Sequence, residues 1–173
     1  MRANAKFMNF IARHGRLDPD NCQEMLSRVK GVFDDNDITF LLVYGTLLGA
    51  YRDADFIPYD EDVDLLLFQE DKKRVEDLRV TFEALGFEFL RDLGDLISYK
   101  YGDDYVDFYF VHKKGKMYVC NSAFHYHQAW QLETLSDIVF RGKNYKTVCD
   151  VDQWLTTHYG DWRTPVKNKN AKF

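Results

Sequence analysis

Apolar residues recur at helical spacing along Cys22, Met25, Leu26, Val29, Val32 and Phe33, which predicts an amphipathic helix. Asp18-Pro19 supplies its N-cap and first helical residue, and the polar run Asp34-Asp35-Asn36-Asp37 ends it. The continuous apolar run Ile38 to Tyr44 predicts a buried strand, broken by Gly45, with Thr46 capping a short helix from Leu47 to Tyr51. Residues 52–61 read as an acidic loop, and Val63 to Phe68 as a second buried strand. Gln69 to Leu85 reads as one charged helix, with Val75, Leu78, Phe82 and Leu85 on its apolar face and Gly86 as its C-terminal stop. Short strands follow at Phe87 to Leu90, Leu96 to Tyr101, Tyr105 to Val111 and Met117 to Cys120. Hairpin turns are expected at Gly102-Asp103-Asp104 and at Lys113 to Lys116. Residues 121–139 show no clear period, and Val151 to His158 predicts a helix closed by Gly160.

This order describes an α/β (α+β) domain with a mixed sheet flanked by helices. It is expected over residues 17–165, between an N-terminal lead-in at 1–16 and a C-terminal tail at 166–173. The 173 residues suffice for one core without disulfide staples, and an apolar fraction of 46% is that of a globular chain.

A formal net charge of −5 argues against a general nucleic-acid partner, which would need a basic surface. Cys22, Cys120 and Cys149 are too few and too scattered for a disulfide framework, so a reducing, cytoplasmic setting is the expectation. Met1 to Arg16 lacks a signal-peptide core. The most apolar stretch, Phe40 to Tyr51, is too short to span a bilayer, so no transmembrane segment is expected.

The chemistry concentrates in Asp60-Glu61-Asp62-Val63-Asp64. Side chains alternate along a strand, so Asp62 and Asp64 should share a face, and Asp60 joins them if the chain is extended early. Adjacent carboxylates repel unless a cation or a proton offsets them. Magnesium suits such a pair, with manganese as the alternative, because it takes one or two carboxylates and completes its shell with water and phosphate oxygens. Asp107 sits in the apolar run Tyr105 to Phe110, where a carboxylate needs a partner. If that strand neighbours Val63 to Phe68, three acids converge and could hold two metals. Tyr44-Gly45-Thr46 at a strand-to-helix junction offers backbone N–H groups to a phosphate, and Arg52 could clamp phosphate oxygens.

Taken together, Tyr44-Gly45-Thr46-Leu47-Leu48-Gly49-Ala50-Tyr51-Arg52, Phe56 to Leu65, Val106-Asp107-Phe108 and Gly160-Asp161-Trp162 resemble the signature of the LicD/fukutin family of the nucleotidyltransferase superfamily. The resemblance covers roughly residues 20–165. It implies a nucleotidyltransferase-like fold and transfer of a phosphorylated alcohol, such as phosphocholine or a polyol phosphate, from a CDP-activated donor to a sugar or glycan hydroxyl. By the same resemblance Asp62, Asp64 and Asp107 would be the catalytic metal-binding acids, Gly45 and Thr46 would contact the donor phosphates, and Asp60 would support the site from behind. Tyr59 departs from the Trp that many members carry. Two other readings use the same site: nucleotide transfer with release of pyrophosphate, and a non-catalytic nucleotide-binding module.

Other residues have plainer explanations. Lys100 could reach a phosphate, but a solvated sheet lysine is the simpler reading. Cys120, His125 and His127 match no closed zinc pattern and read as hairpin and loop residues.

Overall fold

The computed structural model describes residues 5–11, 16–123 and 125–165. The expected tail at 166–173 lies outside the described residues, as does part of the lead-in. The rest of the lead-in contains a helix, α1 (Ala5–Ile11).

Helix α2 (Pro19–Asp35) begins where the sequence predicts. Asp18 accepts hydrogen bonds from the backbone N–H groups of Asp20 (3.0 Å) and Asn21 (3.3 Å), which satisfies two of the donors that a helix start leaves unpaired. Its buried stripe is the predicted set, Cys22 through Phe33. Two strands follow: β1 (Phe40–Leu42) and, after helix α3 (Tyr44–Arg52), β2 (Val63–Phe68). The first strand is shorter than expected, because the chain turns helical at Tyr44, in the left-handed region at φ 46°.

The single helix expected at 69–85 is split into a 3-10 turn (Gln69–Asp71), α4 (Lys72–Asp77) and α5 (Arg79–Ala84). The split falls at Leu78, whose N–H is shared between the carbonyls of Arg74 and Val75. Val75 and Phe82 are still both buried. The strands β3 (Glu88–Asp92), β4 (Leu96–Tyr101), β5 (Asp104–Lys114) and β6 (Met117–Cys120) then form a meander, followed by β7 (His125–Gln128) and α6 (Ala129–Glu133).

A hairpin of β8 (Ser136–Phe140) and β9 (Lys143–Thr147) was not expected from the sequence. Its turn has positive φ at both Arg141 (46°) and Gly142 (80°), the geometry usually signalled by Asn-Gly or Asp-Gly. Arg141 is instead held by Gln23 (2.7 Å), Asp20 (2.9 Å) and Asp55 (2.5 Å). Helix α7 (Val151–Tyr159) closes the described chain, with Asp150 capping it and Gly160 following it.

The sheet runs β3-β4-β5-β2-β1-β9-β8, with β6 and β7 continuing from the far end of β5. β2 and β5 are parallel, and most of the other pairs are antiparallel. One face carries Phe89, Tyr99 and Phe108, in edge and tilted ring contacts with one another, with Phe87, with Phe82 of α5 and with Phe33 of α2. The alternate residues of β2, β4 and β5 point to the other face. No described helix is long and apolar enough to cross a membrane.

Two glycines test this packing in opposite directions. A Cβ on Gly49 would overlap the backbone carbonyl oxygen of Asp55, where the acidic loop crosses α3. Gly49→Ala is therefore expected to destabilise the fold by about 1–3 kcal/mol. Gly31 lies on α2 with open space around it, so Gly31→Ala is expected to stabilise by up to about 1 kcal/mol. Urea denaturation measures both.

Candidate active site

The site grows from the junction of β1, α3 and β2. Gly45, in the first turn of α3, donates its N–H to Asp64 Oδ2 (3.1 Å), while the N–H of Asp64 donates to Thr46 Oγ1 (2.8 Å). A carboxylate at a helix N-terminus satisfies an unpaired donor and meets the positive end of the helix dipole. This pair of bonds corrects two expectations. Thr46 does not cap a helix beginning at Leu47: it lies inside α3, and its hydroxyl oxygen accepts from β2. The N–H of Gly45 is also not free for a phosphate, because Asp64 occupies it, whereas the Thr46 hydroxyl is the acceptor in its bond with Asp64 and keeps its own proton to donate. A Cβ on Gly45 would overlap Asp60 Oδ2, so the glycine leaves room for a carboxylate.

Parallel pairing of β2 with β5 sets Asp64 directly beside Asp107, on the same face. Asp64 and Asp107 are 6% and 2% exposed. Asp62 lies just before β2, half-buried, with its carboxyl group turned into the cluster. Burial is the largest cause raising the carboxyl pKa of Asp60, Asp62, Asp64 and Asp107 above the ordinary carboxylate range. Mutual repulsion adds to it: Asp107 and Asp60 raise Asp62, and Asp62, Asp60 and Asp107 raise Asp64. For Asp107 the Arg91 charge and the Ser98 hydroxyl pull the other way.

Asp107 is held by three neighbours that sequence reasoning missed. Ser98 Oγ donates to Oδ1, while Arg91 Nη2 (2.8 Å) and Tyr109 Oη (3.4 Å) donate to Oδ2. Tyr105 hydrogen-bonds Asp62. The alternation of β4 and β5 could have flagged Ser98, Tyr105 and Tyr109 as sharing a face with Asp107. Nothing in the sequence pattern flags Arg91.

Arg52 and Lys100, expected to contact phosphate, differ in their surroundings. Arg52 is bonded to Asp53 through Nε (2.9 Å) and Nη2 (2.6 Å), and to the carbonyl of Trp162 through Nη1 (3.2 Å). It fastens the segment after α7 to the end of α3. Lys100 lies on the acid face of β4, two residues beyond Ser98, with its ammonium 5.4 Å from the Phe10 ring centre.

His125 and His127 stand on β7 in a buried aromatic cluster behind Tyr44. His127 Nε2 shares a hydrogen bond with Tyr44 Oη (2.8 Å), and the His127 ring stacks on Trp154 and His158. Burial pushes His125 down to about 4 and His127 to about 3, so both are neutral at physiological pH. Cys120 donates to the carbonyl of Asp95 (3.3 Å). Among the described residues no three His, Cys, Asp or Glu side chains are close enough to form a ready-made metal cage. The aspartate cluster nevertheless has the chemistry that a hard divalent ion requires: oxygen donors only and an excess of negative charge.

Known proteins resemble this chain in sequence and in fold. Residues 37–150 match the family description LicD/FKTN/FKRP, nucleotidyltransferase domain. The chain is 26% identical over 166 residues to ribitol-5-phosphate transferase FKTN of Homo sapiens, covering 88% of this chain and 35% of that protein. It is 41% identical over 69 residues to ribitol 5-phosphate transferase FKRP of Mus musculus, covering 38% of this chain and 14% of that one. The chain therefore spans about a third or less of these relatives. Among solved structures, the lincosamide adenylyltransferase LnuA superposes with a TM-score of 0.57 at 13% identity, over 84% of this chain and 89% of that one. ANT(2")-Ia superposes with a TM-score of 0.53 at 16% identity, over 72% and 67%. At such identities these two likenesses show the fold, that of the nucleotidyltransferases.

The charge crowding predicts a pH signature. Asp60 is raised from 3.8 to about 6, so the folded chain holds that proton more tightly than the unfolded chain. The resulting stabilisation is full below the unfolded value and is lost as pH rises through about 6. Without divalent ions, the melting temperature of Asp60→Asn minus that of wild type is expected to be small near pH 4. It grows in favour of the variant toward pH 7. A flat difference would rule out this account of the charge.

Proposed function

Because the chain belongs to the LicD/FKTN/FKRP nucleotidyltransferase family, we propose that it is a divalent-metal-dependent transferase that moves a phosphorylated alcohol from a CDP-activated donor to a sugar or glycan hydroxyl. The observation that carries this reading is the lateral pairing of Asp64 with Asp107 on parallel strands, with Asp62 and Asp60 turned into the same cluster. A family match alone would fit a non-catalytic nucleotide-binding module equally well. Repelling, buried carboxylates without a ligand are a cost that such a module has no reason to keep. The relatives named as ribitol-5-phosphate transferases support the class of group transferred, an alcohol phosphate.

In this reading Asp62 and Asp64 would hold magnesium, or manganese in its place. A bound ion would supply charge neutralisation at the transferring phosphoryl group. The protein's own part is positional. Asp64 is fixed by its two bonds to α3, and Asp62 by Tyr105. Asp107, its proton affinity raised by burial, accepts the proton of the attacking hydroxyl. The acceptor oxygen forms a bond to phosphorus as the bond to the CMP oxygen breaks, and CMP carries away the electron pair.

The alternative chemistry, transfer of the nucleotide itself, uses the same acids and releases pyrophosphate. Product analysis separates the two. With a panel of CDP-alcohols and nucleoside triphosphates, CMP is the expected product, and pyrophosphate would favour the alternative. Asp62→Asn and Asp64→Asn are each expected to abolish the magnesium-induced rise in melting temperature and to reduce turnover roughly a thousand-fold, the rate equivalent of several kcal/mol. Unchanged magnesium response in both variants would remove the metal assignment.

A further inference from the structure

β3 contains one residue too many. Phe89 pairs with Tyr99, but the next pair is Arg91 with Ser98, leaving Leu90 as a bulge. With regular pairing, Leu90 would stand opposite Ser98 and Arg91 would face the helices. The bulge instead turns Arg91 onto the face that carries Asp107 and Asp64, a common use of such an insertion.

The side chain is held there from three directions. Nε donates to Ser98 Oγ (2.8 Å) and Nη2 to Asp107 Oδ2 (2.8 Å). Phe7 of α1 lies flat against it, with the guanidinium carbon 3.7 Å from the ring centre. Phe7 is anchored in turn by Leu90 and Tyr105. Nη1 makes no hydrogen bond among the described residues, and the side chain retains 18% exposure. Arg91 is also the single cation bonded to any of the four clustered aspartates among the described residues.

Four acids repel a nucleotide's phosphates unless a positive group stands among them. A guanidinium stacked on a ring and fixed at one edge keeps its remaining edge in a defined direction, the arrangement in which arginine binds phosphate oxygens. We propose that Arg91 is a donor-binding residue, whose guanidinium takes a phosphate oxygen of the nucleoside-diphosphate donor, with Phe7 as the strap that positions it. This rests on the function proposed above. It gives the bulge and α1 a role in substrate recognition.

Binding measurements test it without turnover. Isothermal titration with CDP at saturating magnesium, and separately with cytidine, compares wild type with Arg91→Gln and Phe7→Leu. Arg91→Gln is expected to weaken CDP about 10- to 100-fold, the worth of a charge-assisted hydrogen bond, and to leave cytidine binding unchanged. Phe7→Leu is expected to weaken CDP about 2- to 5-fold with cytidine again unchanged, as loss of a cation–π contact implies. It carries the test if Arg91→Gln does not fold. A purely structural arginine would weaken CDP and cytidine together or neither, and either result overturns the proposal. Equal CDP affinity in wild type and both variants overturns the role of Arg91 alone. Wild type that binds no CDP overturns the CDP-donor reading with it.

Discussion

The site depends on a reciprocal pair of hydrogen bonds between the start of a helix and the start of a strand. Gly45 gives its N–H to the carboxylate of Asp64, and Asp64 gives its own N–H to Thr46. One residue thereby caps α3, fixes the entry of β2 and holds an acid in a place from which burial would otherwise expel it. Tyr44 bears the geometric cost, in a left-handed backbone conformation that bulky side chains rarely adopt. The aromatic cluster around it, with His127 on its hydroxyl and Tyr109 and Trp154 against its ring, makes that conformation tolerable.

Charge is the second constraint. Asp60, Asp62, Asp64 and Asp107 crowd together with one bonded cation among the described residues, and their raised proton affinities express the same imbalance. Several acids elsewhere are matched. Asp20 and Asp55 share Arg141, Asp53 pairs with Arg52, and Asp104 accepts from Asn21 and from the backbone of Asp18. Burial without matching cations is how a site for a positive ligand differs from an ordinary acidic surface.

Much of this was legible in the sequence. The α2 cap, the buried strand carrying Asp64 and the strand carrying Asp107 follow from local rules of capping and alternation, and the acid cluster follows from their parity. What escaped was set by non-local or irregular geometry. The bulge at Leu90 reverses the parity of Arg91 without any glycine or proline to announce it. The β8–β9 turn puts Arg141 where Asn or Asp is usual, because Asp20, Gln23 and Asp55 hold it there. The N–H of Gly45 reads as an open donor, since a strand-to-helix junction looks the same whether its N–H groups face a ligand or a neighbouring carboxylate.

The parallel pairing of β2 with β5 also bears on how the molecule comes together. Two helices and two strands lie between these partners in the chain, so their register cannot form early by local zipping. It must await a long loop closure, whose entropic cost falls before any contact repays it. The meander of β3, β4 and β5 and the capped helix α2 can assemble beforehand, whereas Asp64 and Asp107 meet only when the two halves of the sheet join. Partly folded chains thus lack the acid pair altogether, and ion-binding competence arrives together with the completed sheet.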